Sequence, residues 1–306
     1  MEQFAIAVHG GAGTILRSAM TMEREKKYLD ALELAVNRGF EILRSGGTAV
    51  EAVENAVVEL EDSPLFNAGK GSVFTHEGKH EMDAAIMEGK HLSAGAASAV
   101  KNIRNPVRLA KAIMENSEHV MMSGDGAEKF AKKMNLKFEN DSYFFDQLRH
   151  DQWMEISGSE KTALDHSDKK FGTVGAVAMD GRRNLAAATS TGGMTNKQFG
   201  RIGDSPIIGS GTYANNSTCA VSCTGHGEYF IRGVVAYDVS CLIEYKGFSL
   251  KQACDFVVND KLKKFGGEGG LIAVDALGNM ALPFNCEGMY RGWKKSDGIF
   301  EVKIYS

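Results

Sequence analysis

Lys169-Lys170-Phe171-Gly172-Thr173-Val174-Gly175-Ala176-Val177-Ala178-Met179 joins a polar stretch to an almost wholly apolar run. Upstream, residues 157–170 (SGSEKTALDHSDKK) hold only Ala163 and Leu164 as apolar side chains, so about 157–172 reads as a mobile linker. Downstream, residues 173–179 are small and apolar, and past the Asp180-Gly181 turn residues 185–189 repeat that character. Two apolar runs without polar alternation, joined by a short turn, predict a hairpin of strands buried on both faces. A threonine opening such a strand is ordinary, because β-branched residues favour strands.

Further out, three loops follow apolar sequence: Thr189-Ser190-Thr191-Gly192-Gly193, Gly200-Arg201-Ile202-Gly203-Asp204, and Cys223-Thr224-Gly225-His226-Gly227-Glu228. Together they offer hydroxyls, backbone amides, a cation and carboxylates at strand ends, where a rigid scaffold places functional groups. Other strands are expected at 4–8, 73–75, 82–87, 94–100, 218–223, 271–274, 280–282 and 299–304, with glycine turns at Glu77-Gly78-Lys79 and Glu88-Gly89-Lys90. Helices are expected at 23–44, stopped by Gly46, and after the capping box Thr48-Ala49-Val50-Glu51. Pro106 starts another through 114, and 228–245 and 250–265 complete the set. Periodicity weakens from about 134. Strands and helices do not alternate regularly, which favours an α+β fold with antiparallel sheets and helices layered outside them.

The 306 residues are 43% hydrophobic and 24% charged, enough for a sizeable core. A net charge of -4 lacks the basic excess of a nucleic-acid binder. No basic leader or long apolar span is present, so neither secretion nor a membrane is expected. The five cysteines Cys219, Cys223, Cys241, Cys254 and Cys286 form no CxxC pair and fit reduced thiols in the cytoplasm. Glycine is abundant, 35 against 4 prolines, as expected where many backbone positions turn sharply or meet a ligand closely.

Two motifs compete for attention. His76-Glu77-Gly78-Lys79-His80 matches the HExxH zinc-peptidase pattern, but that chemistry needs a helix, and Gly78 at its centre favours a turn. His9-Gly10-Gly11-Ala12-Gly13 resembles neither a full dinucleotide fingerprint, since Leu16 takes the third glycine's place, nor an α/β-hydrolase oxyanion loop, since no G-x-S-x-G elbow exists. A tight turn after a strand suffices for it unless a catalytic element lies nearby.

Taken in order, these blocks resemble the isoaspartyl peptidases and plant-type L-asparaginases among the N-terminal nucleophile hydrolases. The likeness runs from His9–Gly13 through Asn67-Ala68-Gly69-Lys70-Gly71, Met82-Asp83-Ala84-Ala85-Ile86-Met87, and the Gly172-Thr173 run. It continues through Ser190–Gly193, Gly200–Asp204 and Thr224–Glu228 to Leu282-Pro283-Phe284-Asn285, almost the whole chain. It implies a four-layer αββα sandwich, one domain over 1–306, self-cleaved into chains 1–172 and 173–306.

It also implies threonine amidohydrolase activity on β-aspartyl dipeptides and L-asparagine, with no cofactor for catalysis and a dimer of such chain pairs. Thr173 would be the nucleophile, with its freed α-amine as base, and Thr191 would orient it. Thr224 and Gly225 would form the oxyanion hole. Arg201 would hold the substrate α-carboxylate and Asp204 the α-ammonium, with Gly225, His226 and Gly227 completing the binding site. Asn67 would order a water near the oxyanion. Carbonyls of Leu60, Glu61, Ser63, Phe66, Ala68 and Lys70 would bind a structural sodium ion. Phe171 stands where many relatives carry His. The rival readings are an uncleaved, inactive relative that binds aspartyl compounds, and a zinc peptidase using His76 and His80.

Overall fold

The computed structural model describes residues 2–158 and 172–306, so Phe171 and most of the expected linker lie outside the described residues. The first part of the chain contains β1 (Ala5–Gly13), α1 (Met22–Arg44), α2 (Ala49–Asp62), β2 (Met82–Glu88), β3 (Ala94–Val100), α3 (Pro106–Asn116), β4 (Met121–Ser123), α4 (Gly124–Lys133), α5 (Asp141–Phe144) and α6 (Gln147–Ile156). The second contains β5 (Val174–Met179), β6 (Leu185–Thr191), β7 (Thr212–Ala214), β8 (Cys219–Gly225), α7 (Gly227–Gly233), α8 (Val235–Lys246), α9 (Leu250–Asp255), a π-helical turn (Phe256–Leu262), β9 (Gly269–Asp275), β10 (Met280–Ala281), β11 (Gly288–Lys295) and β12 (Phe300–Lys303).

Eight strands form one sheet in the order β12-β11-β1-β5-β6-β2-β3-β4, and four form a second, β10-β9-β8-β7. Every strand pairing is antiparallel except β3 with β4. The β5–β6 hairpin lies at the centre of the large sheet, and its alternating residues supply two different cores. Ala176, Ala178, Ala186 and Ala188 pack with α1 and α2 residues such as Leu32, Val36, Val53 and Val57. Val177, Met179, Leu185 and Ala187 pack with Val221, Leu271 and Ala273 of the second sheet. Helices α8 and α9 cover that sheet's other side. Burial on both faces is why the run carries no polar alternation.

The Thr48–Glu51 capping box is formed and Thr21 caps α1, so both helices begin where their side chains satisfy the free amides. Four expectations are corrected. Residues 73–75 make only an isolated bridge, Thr75 to Lys197, because the turn at Gly78 is closed by the Thr75 N–H to Lys79 carbonyl bond at 2.7 Å and does not extend into a ladder. The expected helix over 228–245 breaks at Val234, whose φ of 48° is left-handed, and the expected helix over 250–265 widens into the π-helical turn. The short strand at 4–8 continues as β1 through the glycine block to Gly13, bulging between His9 and Gly11 to stay paired with β11.

Candidate active site

The hairpin and β8 end beside one another, and those ends build a pocket. It is lined by Asn67, Gly172, Thr173, Thr191, Arg201, Asp204, Thr224, Gly225 and Gly227, together with Gly193, Met194, Gly203 and Ser205. Residues from separate blocks of sequence thus meet in one place. Thr173 immediately precedes β5 and is 9% exposed; its Oγ1 donates to Thr191 Oγ1 at 3.3 Å. Thr191 closes β6, and its hydroxyl also accepts from the Gly193 amide at 3.0 Å. Across the pocket, Thr224 Oγ1 accepts from the Ala12 amide at 3.2 Å. That contact occupies a lone pair and leaves the Thr224 hydrogen to donate elsewhere.

Gly225 has φ 149°, and a Cβ there would lie 2.4 Å from the Glu268 carbonyl oxygen and 2.7 Å from Gly269 Cα. Only glycine lets β8 and β9 approach this closely where the strand opens into the pocket. Gly172 stands directly before Thr173 and lines the same pocket. Its constraint is space: a Cβ would lie 3.1 Å from the Asn67 amide nitrogen and 3.3 Å from the Gly10 carbonyl oxygen.

Arg201 and Asp204 carry the charge. Arg201 makes a two-pronged ion pair with Glu228, Nε and Nη2 each 2.8 Å from a carboxylate oxygen. Partial burial works against the Glu228 charge, but hydrogen bonds from His226 and Arg201 outweigh it and hold the carboxyl well below its ordinary range. Asp204 is 3% exposed, and its Oδ2 has no hydrogen-bond partner among the described residues. Burial pushes its pKa up to about 7, and the Arg201 charge offsets this only in part. A buried carboxyl with an idle oxygen, on a residue that lines a pocket, suits a cationic guest, whose charge would restore the ionised form.

Asn67 projects from the loop after α2. Its Nδ2 donates to the Gly193 carbonyl at 2.6 Å and its Oδ1 accepts from the Val73 amide at 3.1 Å. It therefore fixes the Gly192-Gly193 corner and uses one of its two amide hydrogens in doing so. His226 is not among the pocket-lining residues; its Nε2 faces Glu228 at 3.2 Å. The six residues expected around sodium form the end of α2 and the loop holding Asn67, outside the pocket.

The zinc-peptidase reading is overturned. His76–His80 is a turn, His80 is 8% exposed with Nδ1 3.0 Å from the Ser72 carbonyl, and His76 Nδ1 lies 2.9 Å from Asn196 Oδ1. Among the described residues no cluster of His, Cys, Asp or Glu is placed to hold a metal ion. The His9 block, by contrast, lies against the pocket, since Ala12 supports Thr224 and Gly10 faces Gly172.

Sequence reasoning assigned no role to Ser205, whose Oγ lies 3.4 Å from Thr173 Oγ1, or to Glu228 as the partner of Arg201. It also missed the buried neighbours Asp83 and Lys197 behind Gly193. A charged residue inside the apolar run 82–87 was a readable signal for Asp83. Nothing local marked Lys197.

A family model described as asparaginase matches residues 2–304. The chain is 52% identical over 311 residues to an isoaspartyl peptidase of Escherichia coli (strain K12), covering 100% of this chain and 97% of the relative. It is 46% identical to a putative isoaspartyl peptidase/L-asparaginase of Dictyostelium discoideum, with 99% of each chain covered. It is 42% identical to a plant-type L-asparaginase of Pyrococcus horikoshii, with 97% of this chain and 98% of the relative covered. Facing sheets flanked by helices, with full-length relatives of this kind, make the protein a hydrolase of the N-terminal nucleophile class. Within that class the chain belongs to the asparaginase family, in the branch of the isoaspartyl peptidases and plant-type L-asparaginases.

Proposed function

We propose that the chain hydrolyses β-aspartyl dipeptides and L-asparagine through an ester on Thr173, formed after the chain has cut itself before that residue. The observation that carries this is the convergence of Gly172, Thr173, Thr191, Thr224, Arg201 and Asp204 on one pocket. In the intact chain the Thr173 hydroxyl attacks the Gly172 carbonyl carbon. The C–N bond breaks as the nitrogen takes a proton, and water then hydrolyses the resulting ester. The products are a Gly172 carboxylate and a Thr173 carrying both a free hydroxyl and a free α-amine. With an ordinary pKa of about 7.7–8.0, that amine accepts the hydroxyl proton near neutrality and serves as the base.

The reaction then follows from the charges. Arg201, with Nε and one Nη2 hydrogen held by Glu228, takes the substrate α-carboxylate with the remaining N–H donors of its guanidinium, and Asp204 takes the α-ammonium. Both ends of the aspartyl unit are thereby fixed, so the β-carbonyl carbon faces Thr173. Thr224 O–H and the Gly225 amide donate to the oxygen that gains charge, a contribution worth about 3 kcal/mol per donor in comparable sites. The leaving amine departs with the proton from the Thr173 nitrogen, and water releases aspartate. No cofactor takes part. The two sheets and their outer helices form one four-layer αββα domain, and the working particle is a dimer of cleaved pairs. Unpaired cysteines fit a reducing cytoplasm.

The loop after α2 offers the neutral carbonyl donors that a hard alkali cation prefers. It is wound tightly: a Cβ on Gly69 would lie 2.4 Å from the Glu61 carbonyl oxygen, and one on Gly71 2.1 Å from that of Phe66. Carbonyls of Leu60, Glu61, Ser63, Phe66, Ala68 and Lys70 would hold sodium there and so brace Asn67. A tenfold excess of ion over its Kd then stabilises the fold by about 1.4 kcal/mol. Melting in sodium chloride against choline chloride of equal ionic strength should show Tm higher by about 2 °C or more in sodium. Equal Tm values would remove the ion from the reading.

Denaturing mass spectrometry tests the main proposal. The 33.1 kDa chain should resolve into 1–172 and 173–306 on incubation, with turnover of β-aspartyl-leucine and L-asparagine rising in step with cleavage. A chain that stays whole and silent would instead be the inactive relative.

A further inference from the structure

Beneath the pocket runs a file of buried polar groups that the mechanism above does not use. His9 Nε2 lies 2.9 Å from Ser222 Oγ, Ser222 Oγ lies 2.7 Å from Thr189 Oγ1, and Thr189 Oγ1 lies 2.6 Å from Thr212 Oγ1. Thr212 Oγ1 is in turn 3.0 Å from the Ser205 carbonyl oxygen. Ser205 Oγ closes the path at 3.4 Å from Thr173 Oγ1. His9, Thr189, Thr212 and Ser222 are each fully buried, and Ser205 is 1% exposed. Burial drives the His9 imidazole down to about 3 against the pull of the Thr173 backbone, so it is neutral at any working pH.

The file crosses the space between the sheets. His9 and Thr189 belong to the large sheet, and Thr212 and Ser222 to the small one. Around it that interface is apolar, with Val177, Ala187, Val221 and Leu271. Hydroxyls placed among such residues lose hydration and recover it through one another and through the Ser205 and Gly211 carbonyl oxygens, so they accept few alternative arrangements. The chain has made room for the file two residues after the nucleophile. A Cβ on Gly175 would lie 2.0 Å from Ser222 Oγ and 2.5 Å from His9 Nε2.

We propose that His9, Ser222, Thr189 and Thr212 are positioning residues that lock the two sheets in register beneath the nucleophile and, through the Ser205 main chain, set the Ser205 hydroxyl against Thr173. This rests on the reading of Thr173 as nucleophile. The file neither binds substrate nor exchanges protons with it. It narrows the arc available to the Thr173 hydroxyl, which must reach the Gly172 carbonyl first and the substrate carbonyl later. Loosening the mount therefore slows both reactions and leaves the Arg201 and Asp204 contacts intact.

Thr189→Val keeps the shape of the side chain and deletes the central hydroxyl. In the full-length protein, self-cleavage and kcat per cleaved chain should each fall on the order of 10-fold or more, with KM for β-aspartyl-leucine held within about twofold. Thr189→Ser, which returns the hydroxyl, should restore both rates to within about threefold of the parent, a recovery that a packing defect would not show. Wild-type rates in Thr189→Val, a loss confined to KM, or no rescue by serine would each overturn the proposal. If the valine chain fails to fold, Ser222→Ala removes a single buried oxygen one step away, and undiminished kcat and cleavage there would overturn it equally. Thr173→Ala run alongside separates the two levels. Activity surviving in it condemns the nucleophile assignment; a dead Thr173→Ala beside a fully active Thr189→Val condemns only the mount.

Discussion

Thr173→Ala is expected to yield a folded chain of about 33 kDa that neither splits at Gly172 nor turns over β-aspartyl-leucine or L-asparagine. With the γ-methyl the substitution removes an oxygen to which the proposed mechanism gives two jobs, attack on Gly172 in the precursor and on the β-carbonyl in the mature enzyme. The rest of the pocket stays, yet without an uncleaved-to-cleaved transition the α-amine is never freed, so base and nucleophile vanish together. Loss of a nucleophile that works as a unit with its base costs on the order of 10⁴- to 10⁶-fold in kcat. Stability should change little, since among the described residues the contacts of Thr173 Oγ1 are long, at 3.3 and 3.4 Å. The measurement is denaturing mass spectrometry over days with a parallel amine-release assay. Purified Thr173→Ala that still divided at Gly172 would make the mechanism wrong.

How much of this was legible depends on whether the signal was local. The β5–β6 hairpin, α1 and the α2 capping box were readable because a turn, a period or a cap is written within a few neighbouring residues. β11 was not, although it flanks β1 along its whole length. Its sequence GMYRGWKK has neither alternation nor an apolar run, and its pairing is made with residues 5–13 at the opposite end of the chain. β1 was cut short for a related reason. Glycines at 10, 11 and 13 look like a loop in sequence, but β11 and the bulge hold them in the sheet.

The site divides the same way. Thr173, Thr191, Thr224, Arg201 and Asp204 announce themselves as hydroxyls and charges at the ends of apolar runs, and the structure gathers all five around one pocket. Glu228 as the partner of Arg201 is a relation across 27 residues that no period encodes. The buried hydroxyl file was hidden more completely. Ser222, Thr189 and Thr212 sit inside strands where small β-compatible residues look like packing, and only the meeting of two sheets turns them into a network.

The acid limb of the pH profile carries the second large effect, centred on Asp204. Because burial raises its carboxyl to about 7, free enzyme below that pH carries Asp204 mainly protonated, unable to meet an ammonium as an anion. On the proposed mechanism the amine freed at Thr173 must also be unprotonated, and an ordinary terminus has a pKa of about 7.7–8.0. Two groups must therefore lose protons before productive encounter. In kcat/KM, which reports the free enzyme, activity should fall by about 100-fold per pH unit well below both values, against about 10-fold for one group. In kcat the slope should relax toward the single-group value, because a bound ammonium pulls Asp204 back to its ionised form.

Asp204→Asn distinguishes this from a generic acid loss. The amide cannot pair with the ammonium, so about 3–4 kcal/mol of binding disappears and kcat/KM drops on the order of 10²- to 10³-fold at neutral pH. What remains should show the single-group slope in kcat/KM. The stability sign is opposite: the folded pKa of about 7 lies above the ordinary 3.8, so the folded chain binds more protons between those values and loses stability as pH rises through them. The substituted amide has no charge to bury, so above pH 7 the variant should melt higher than the parent in the absence of substrate, and the difference should shrink toward pH 4. A parent profile already at single-group slope, or a variant that melts lower above pH 7, would show that Asp204 is ionised and satisfied in the free enzyme, and its idle oxygen would then have to be explained by something other than a waiting ammonium.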